Sequence, residues 1–210
     1  MSNLESIREI LKRKDITGVT ARLHDHAERL GTDIAIGIEG VRAYKDRLKA
    51  FERCAASGMP EAWISVGLCH IRGQGVKANR RKGAECFLAA YRAGFAEAGE
   101  TYLNYAYFEL EDYDQVNTFC SELLAAGDAT GLGEYYIGLM KYSGNGCKAD
   151  AEEAFGHHTR AAGKGLPDAM FELYVLLSTG QGCGQDDQAA LAWCRKAADA
   201  GQTRACYNLG

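Results

Sequence analysis

A chain of 210 residues with 47% hydrophobic and 25% charged side chains has the composition of a folded globular protein, not of a disordered one. Its formal net charge of −4 argues against a general nucleic-acid or membrane-surface binder. No apolar run approaches the roughly 20 residues of a membrane span, and the N-terminus "MSNLESIREILKRK" has no signal-peptide core. The expected residence is cytoplasmic, with the eight cysteines reduced and acting mostly as small apolar packers.

Twenty-five glycines are too many for helix interiors, where each costs about 1 kcal/mol relative to alanine. Their spacing is informative. Small-residue-rich segments close at Gly58, Gly94, Gly127, Gly165 and Gly201, at intervals of 36, 33, 38 and 36. A Gly-x-Gly marker recurs at Gly73 and Gly75, Gly144 and Gly146, Gly180 and Gly182. From each second glycine to the closing glycine is always 19 residues. Pro60 and Pro167 both fall two residues after a closing glycine, where the first turn of a helix tolerates proline. Each period therefore reads as two helices: helix A up to Gly-x-Gly, where positive φ stops it, and an alanine-rich helix B up to the closing glycine. One such hairpin cannot bury its apolar stripe alone, so neighbouring hairpins are expected to stack.

In chain order, residues 1–25 form an N-terminal capping segment, with a helix over 3–14 that puts Leu4, Ile7, Ile10 and Leu11 on one face. Residues 26–58 are a degenerate repeat with Leu30, Gly31, Gly37 and Gly58 in register. Residues 59–94 are a full repeat, with Ala62, Val66, Gly67, His70, Gly73, Gly75, Val76, Ala90 and Gly94 at the marked positions. Residues 95–127 are atypical: "YFELEDYDQV" stands where Gly-x-Gly is expected, and the unit is three residues short. Residues 128–165 return to the pattern with Gly133, Ile137, Gly138, Gly144, Gly146, Ala154, Ala161, Ala162 and Gly165. Residues 166–201 give the fullest copy: Ala169, Leu173, Leu177, Gly180, Gly182, Ala190, Trp193, Ala197, Ala198 and Gly201. Residues 202–210 open a further helix A, a half repeat.

These positions resemble the Sel-one-like repeat, a relative of the tetratricopeptide repeat; the turn of the 95–127 unit is closer to the latter. The resemblance implies an all-α fold, a right-handed α/α superhelix or solenoid of stacked antiparallel helix pairs. It also implies a non-enzymatic scaffold or adaptor that binds a protein or peptide partner along the concave face formed by the A helices. By analogy with the tetratricopeptide family, that face comprises Ile64, Leu68, Ile71 and Arg72; Glu100, Asn104, Tyr107 and Phe108; Tyr135, Leu139, Tyr142 and Ser143; and Phe171, Val175, Ser178 and Thr179, with Tyr207 extending the row. The bland alternative is that many of these side chains pack between successive A helices. Two other functional readings stay open: a dedicated neutraliser or chaperone of one effector protein, and a thiol-based sensor or enzyme.

No catalytic constellation supports the last reading directly. The Gly-x-Gly turns lack the Gly-Lys-Ser/Thr of a phosphate loop and the preceding strand of a dinucleotide fingerprint. There is no CxxC, so neither zinc-ligand spacing nor any other cofactor or metal site is expected. Cys147 and Cys183 occupy the place of Val76, a small apolar slot, and Cys120 and Cys194 each stand seven residues before a closing glycine. Secreted cysteine-rich members of the family staple helix A to helix B, a regular pairing this chain lacks. His157 aligns with Trp193 and is expected to pack, with His158 at the surface. His70 takes a tyrosine slot with a hydrogen bond between helices expected of it, and His24 and His26 lack a third metal ligand. "KANRRKG", with Lys77, Arg80, Arg81 and Lys82, reads as a solvated face or as a contact for an acidic or phosphate-bearing partner, and "ELEDYD" is its acidic counterpart. No nucleic-acid partner is expected. Self-association through the C-terminal half repeat is a further expectation.

Overall fold

The structure, a computed structural model, describes residues 41–209. The expected capping segment over residues 1–25, with its histidine His24, and the markers His26, Leu30, Gly31 and Gly37 lie outside the described residues. Among the described residues there are ten helices and no strand, so the fold is an all-α repeat of the solenoid class. They are α1 (Val41–Ala56), α2 (Ala62–Arg72), α3 (Arg80–Arg92), α4 (Glu97–Phe108), α5 (Tyr113–Ala125), α6 (Leu132–Ser143), α7 (Ala151–Gly163), α8 (Pro167–Thr179), α9 (Asp187–Asp199) and α10 (Thr203–Leu209). They fall into two compact units, Met1–Glu111 and Asp112–Gly210.

The glycine punctuation sets the helix ends. Gly73, Gly144 and Gly180 cap α2, α6 and α8 in the left-handed region, with φ of 69°, 75° and 69°. The chain then reaches an N-cap four residues after the second glycine: Asn79, Asp150 or Asp186. Each adopts an extended backbone and accepts a hydrogen bond from the amide three residues on, at Lys82, Glu153 and Ala189 respectively. The same backbone bond closes all three loops: Asn79 to the His70 carbonyl at 2.8 Å, Asp150 to Lys141 at 2.7 Å, Asp186 to Leu177 at 3.0 Å. At the other end of the B helices, Phe95, Leu166 and Gln202 donate back to the carbonyls of Ala90, Ala161 and Ala197, the six-to-one bond of a Schellman turn. Pro167 begins α8 as expected, whereas Pro60 sits in the turn before α2, whose first helical residue is Ala62.

In the first unit, each helix packs against the next in sequence, α1 on α2, α2 on α3 and α3 on α4. Leu48, Val66, Cys69 and Cys86 form a core cluster, with Phe51, Trp63 and Val76 against it. Phe87 is fully buried and meets Tyr105 edge-on, ring centroids 5.9 Å apart. Burying a side chain of that size stabilises the fold by about 1.5–3 kcal/mol. In the second unit the sequential pairing runs from α5 to α10. Its core takes Val116, Phe119 and Cys120 from α5, Tyr136 and Met140 from α6, Ala154, His158 and Ala161 from α7, Leu173 and Leu176 from α8, and Cys194 and Ala197 from α9.

Candidate interaction surfaces

The side chains on the A helices divide by burial. In the first unit, Ile64, Leu68 and Ile71 on α2 are half-buried and Arg72 is exposed. Ile71 lies flat over Gly83 of α3, with no room for a Cβ there. On α4, Glu100 and Asn104 are half-buried, Tyr107 is buried, and Phe108 keeps 42% of its surface exposed with its ring 4.8 Å from that of Tyr107. In the second unit, Tyr135 is buried between the rings of Tyr136 and His158. Leu139 is half-buried, and Tyr142 is 39% exposed with its hydroxyl 2.5 Å from the Gln181 side-chain oxygen. Phe171 is buried beneath the Arg204 guanidinium, 4.3 Å from the ring centroid. Val175 and Ser178 are half-buried, while Ser143 and Thr179 are exposed. The hydroxyls of Ser178 and Thr179 donate to the Val175 carbonyl, so both are turned back onto their own helix. Tyr207 on α10 is 87% exposed.

The sixteen expected positions are thus a mixture. Tyr107, Tyr135 and Phe171 are core side chains, as the packing alternative has it. Phe108, Leu139, Tyr142 and Val175 offer apolar surface to solvent.

The second unit also holds a polar network that the sequence did not reveal. The Asp128 carboxylate is fully buried; it accepts from the Thr130 hydroxyl at 3.1 Å, the Glu134 amide at 3.3 Å and the Lys164 ammonium at 3.4 Å. Glu134 accepts from Arg160 Nε at 3.0 Å, and its Oε2 lies 2.7 Å from His157 Nδ1. These contacts tie the start of α6 to the last turns of α7. Breaking one would strand a buried carboxylate, so their role is positional.

The two adjacent histidines exchange the places expected for them. His158, expected at the surface, is 1% exposed, while His157 is half-buried in the ion-pair network. The reason is the slot seven residues before each of the last four closing glycines: Phe87, Cys120, His158 and Cys194 are all buried to within 1%. Burial, with a smaller contribution from His157, pushes the His158 imidazole down to about 4, and its Nδ1 has no hydrogen-bond partner among the described residues. His70 is likewise buried, but its Nδ1 lacks the expected interhelical bond.

All eight cysteines carry free thiols. Burial raises the pKa of Cys54, Cys69 and Cys194, and that of Cys86 and Cys120 to about 11 and about 12. Such thiols are poor nucleophiles at neutral pH. Cys206 departs from the core-packing expectation: it is exposed on α10. Among the described residues no group of three or more His, Cys, Asp or Glu side chains is arranged to hold a metal ion, and no helix is long and apolar enough to cross a membrane.

Three stretches, residues 60–95, 131–166 and 167–202, match the family model of the Sel1 repeat. Among solved structures, a Sel1 repeat protein from Oxalobacter formigenes is similar at a TM-score of 0.60 and 26% identity, over 79% of this chain and 68% of that one. A protective antigen of uropathogenic Escherichia coli displaying an SLR fold gives a TM-score of 0.39 at 19% identity, over 99% of this chain and 55% of that one. The cysteine rich protein B of Helicobacter pylori gives 0.36 at 16% identity, over 78% and 96%. Comparison with curated proteins yields no significant match.

Proposed function

Because the chain belongs to the Sel1 repeat family, a family of protein-interaction scaffolds, we propose that it is a non-enzymatic adaptor whose helix-A faces receive a protein or peptide partner. The observation that supports this most is the apolar surface left on those helices: Phe108 at 42% exposure in the first unit, and Tyr142 at 39% with half-buried Leu139 and Val175 in the second. Large aromatic side chains held at the rim of a rigid helix give contact area at little entropic cost, which is why such residues dominate protein interfaces. In this reading Phe108 on α4 is the contact residue of the first unit, and Leu139, Tyr142 and Val175 are those of the second, each unit taken by itself. In the first unit Ile64, Leu68, Ile71, Arg72, Glu100 and Asn104 accompany Phe108, with Tyr107 as a buried floor; in the second unit Tyr135 and Phe171 are the buried floor.

The division between rim and floor decides the experiment. Alanine at Tyr107 or Tyr135 tests folding, since both are buried. Serine at Leu139 and Tyr142 together removes exposed apolar surface instead. Affinity capture from the source lysate, with the intact chain and this double variant side by side, is expected to return a partner with the first and lose it with the second. Equal capture by the folded variant would remove α6 from the binding face. The raised thiol pKa values count against the thiol-sensor alternative at the buried cysteines.

A further inference from the structure

We propose that the cationic end of the α2/α3 hairpin is a second docking surface, sharing only Arg72 with the helix-A faces, and that it takes a carboxylate-rich segment of a partner protein. Six exposed cations gather there from three helices and a loop: Lys45 on α1, Arg72 in the last turn of α2, Lys77 in the loop, and Arg80, Arg81 and Lys82 in the first turn of α3. The loop brings them together. The Asn79 amide bonds to the His70 carbonyl at 2.8 Å, which joins the end of α2 to the start of α3. Gly75 abuts α1 so closely that a Cβ added there would collide with the Tyr44 carbonyl and lie 2.8 Å from the backbone nitrogen of Lys45. Beneath this layer a further cation, Arg47, donates to the Gln74 side chain at 3.0 Å.

The acids on the same helices are few. α2 carries none, α3 carries Glu85, and α1 carries Asp46 and Glu52. Arg81 is already engaged within the chain. The arrangement also runs against the local electrostatics. Helix N-termini favour acids, and α7 and α9 follow the rule with Glu152, Glu153 and Asp187. The first turn of α3 has three cations and no acid. Its N-cap is already satisfied by Asn79, so what this turn presents to a partner is cationic side chains, not backbone amides. A first turn that departs from this rule marks a surface shaped by something other than folding.

The chemistry of the patch selects a peptide. Among the residues whose burial is described, none of the exposed large hydrophobics lies on α1, α2 or α3, so those residues offer no apolar wedge to a bilayer. The aromatic side chains described on these helices, Tyr44, Phe51, Trp63, Phe87 and Tyr91, are half-buried or buried and offer no stacking platform for bases. The net charge of −4 repels a long polyanion. A short run of Asp and Glu side chains matches separate cations without needing either.

The test uses the full chain and a fluorescent peptide of about ten glutamates, long enough at ~3.4 Å per residue to cross the patch. Anisotropy at low salt is expected to show binding that weakens steeply as salt is added. The double variant R80E/R81E is expected to weaken it at least about tenfold by Coulomb repulsion. The milder pair K77Q/R80Q gives the same direction should the reversal disturb folding, which circular dichroism checks. K148E, at the equivalent loop position of the 128–165 repeat, is expected to leave binding unchanged. The proposal fails if the peptide does not bind, if K148E weakens binding as much as R80E/R81E, or if phosphatidylserine vesicles or single-stranded DNA bind in preference with the same sensitivity. The helix-A reading survives any of these results, since no residue of the patch except Arg72 belongs to it.

Discussion

Gly138 of α6 and His158 of α7 share one space: a Cβ on Gly138 would lie 2.7 Å from Cε1 of the His158 ring. The same relation holds in the first unit, where a Cβ on Gly67 would lie 2.8 Å from Cε1 of Phe87. In the 166–201 repeat the volumes are reversed. Tyr174 takes the glycine position and packs on the cluster that contains Cys194. These three repeats each fill one gap between their two helices with one large side chain, contributed by either helix.

G138A should therefore destabilise the chain although alanine is the better helix former by about 1 kcal/mol. Overpacking a filled slot costs about 1–3 kcal/mol, which outweighs the propensity gain. Urea unfolding is the measurement. The double variant G138A/H158C, which moves volume from α7 to α6, is expected to recover part of the loss. A G138A protein more stable than the parent would mean that the ring moves aside freely.

His158 predicts a pH dependence with a definite sign. Its imidazole titrates near 4 in the folded protein and near 6.5 when exposed. Above pH 6.5 neither state binds the proton and this contribution to stability is intact. As pH falls through the window, the unfolded chain takes up a proton that the folded chain refuses, and stability is lost until about pH 4. At ~1.4 kcal/mol per pKa unit the total is about 3 kcal/mol. H158F, which copies the Phe87–Gly67 arrangement, is expected to flatten this dependence between pH 6.5 and 4. It also removes the unpartnered Nδ1 and should raise stability at pH 7 by about 1–3 kcal/mol. Identical pH slopes for parent and H158F would assign the acid sensitivity to other groups.

Gly182 and Gly184, two residues apart, should respond to alanine in opposite measure. Gly182 has φ 71° and its Cβ would run into the Ala151 carbonyl, whereas nothing lies within 4 Å of a Cβ on Gly184. Placing alanine in the left-handed region costs about 1–2 kcal/mol before the collision is counted. Thermal melts of G182A and G184A are expected to show a clear drop for the first and little change for the second.

Thiol reactivity should follow exposure. With an aromatic disulfide reagent at neutral pH, Cys206 is expected to react first and Cys86 and Cys120 last, since burial holds the latter two near 11 and 12. C206S should abolish the fastest phase. A fast phase that persists in C206S would place a reactive thiol elsewhere and revive the sensor reading.

The helix ends were legible because glycine at positive φ and its spacing are local properties, written in the chain one residue at a time. The slot between the helices was not. In the repeats 59–94, 128–165 and 166–201 it is filled by Phe87, His158 or Cys194, residues with no chemical feature in common, and what unites them is the volume of a partner twenty residues earlier. Aligning the histidine pair on the bulky Trp193 therefore chose the wrong neighbour. Trp193 itself is half-buried with Lys196 across its ring at 4.1 Å, and Cys194 beside it marks the slot. The Asp128–Lys164 pair escaped notice for a related reason: its members are 36 residues apart and look like ordinary surface charges. On the A helices, helical spacing picked out a stripe but did not separate its exposed members from its buried ones, because burial depends on what the neighbouring helices cover.

The Gly67–Phe87, Gly138–His158 and Tyr174–Cys194 pairs each lie between two successive closing glycines. A recombination event at a closing glycine would carry both members together and leave the packing intact. A crossover within a Gly-x-Gly turn would join a glycine from one parent to a cysteine from another, leaving a hole, or set Tyr174 against a phenylalanine or histidine, leaving a collision. The stretch from one closing glycine to the next is in this sense the heritable unit of the protein, and grafts built from it should respect those borders.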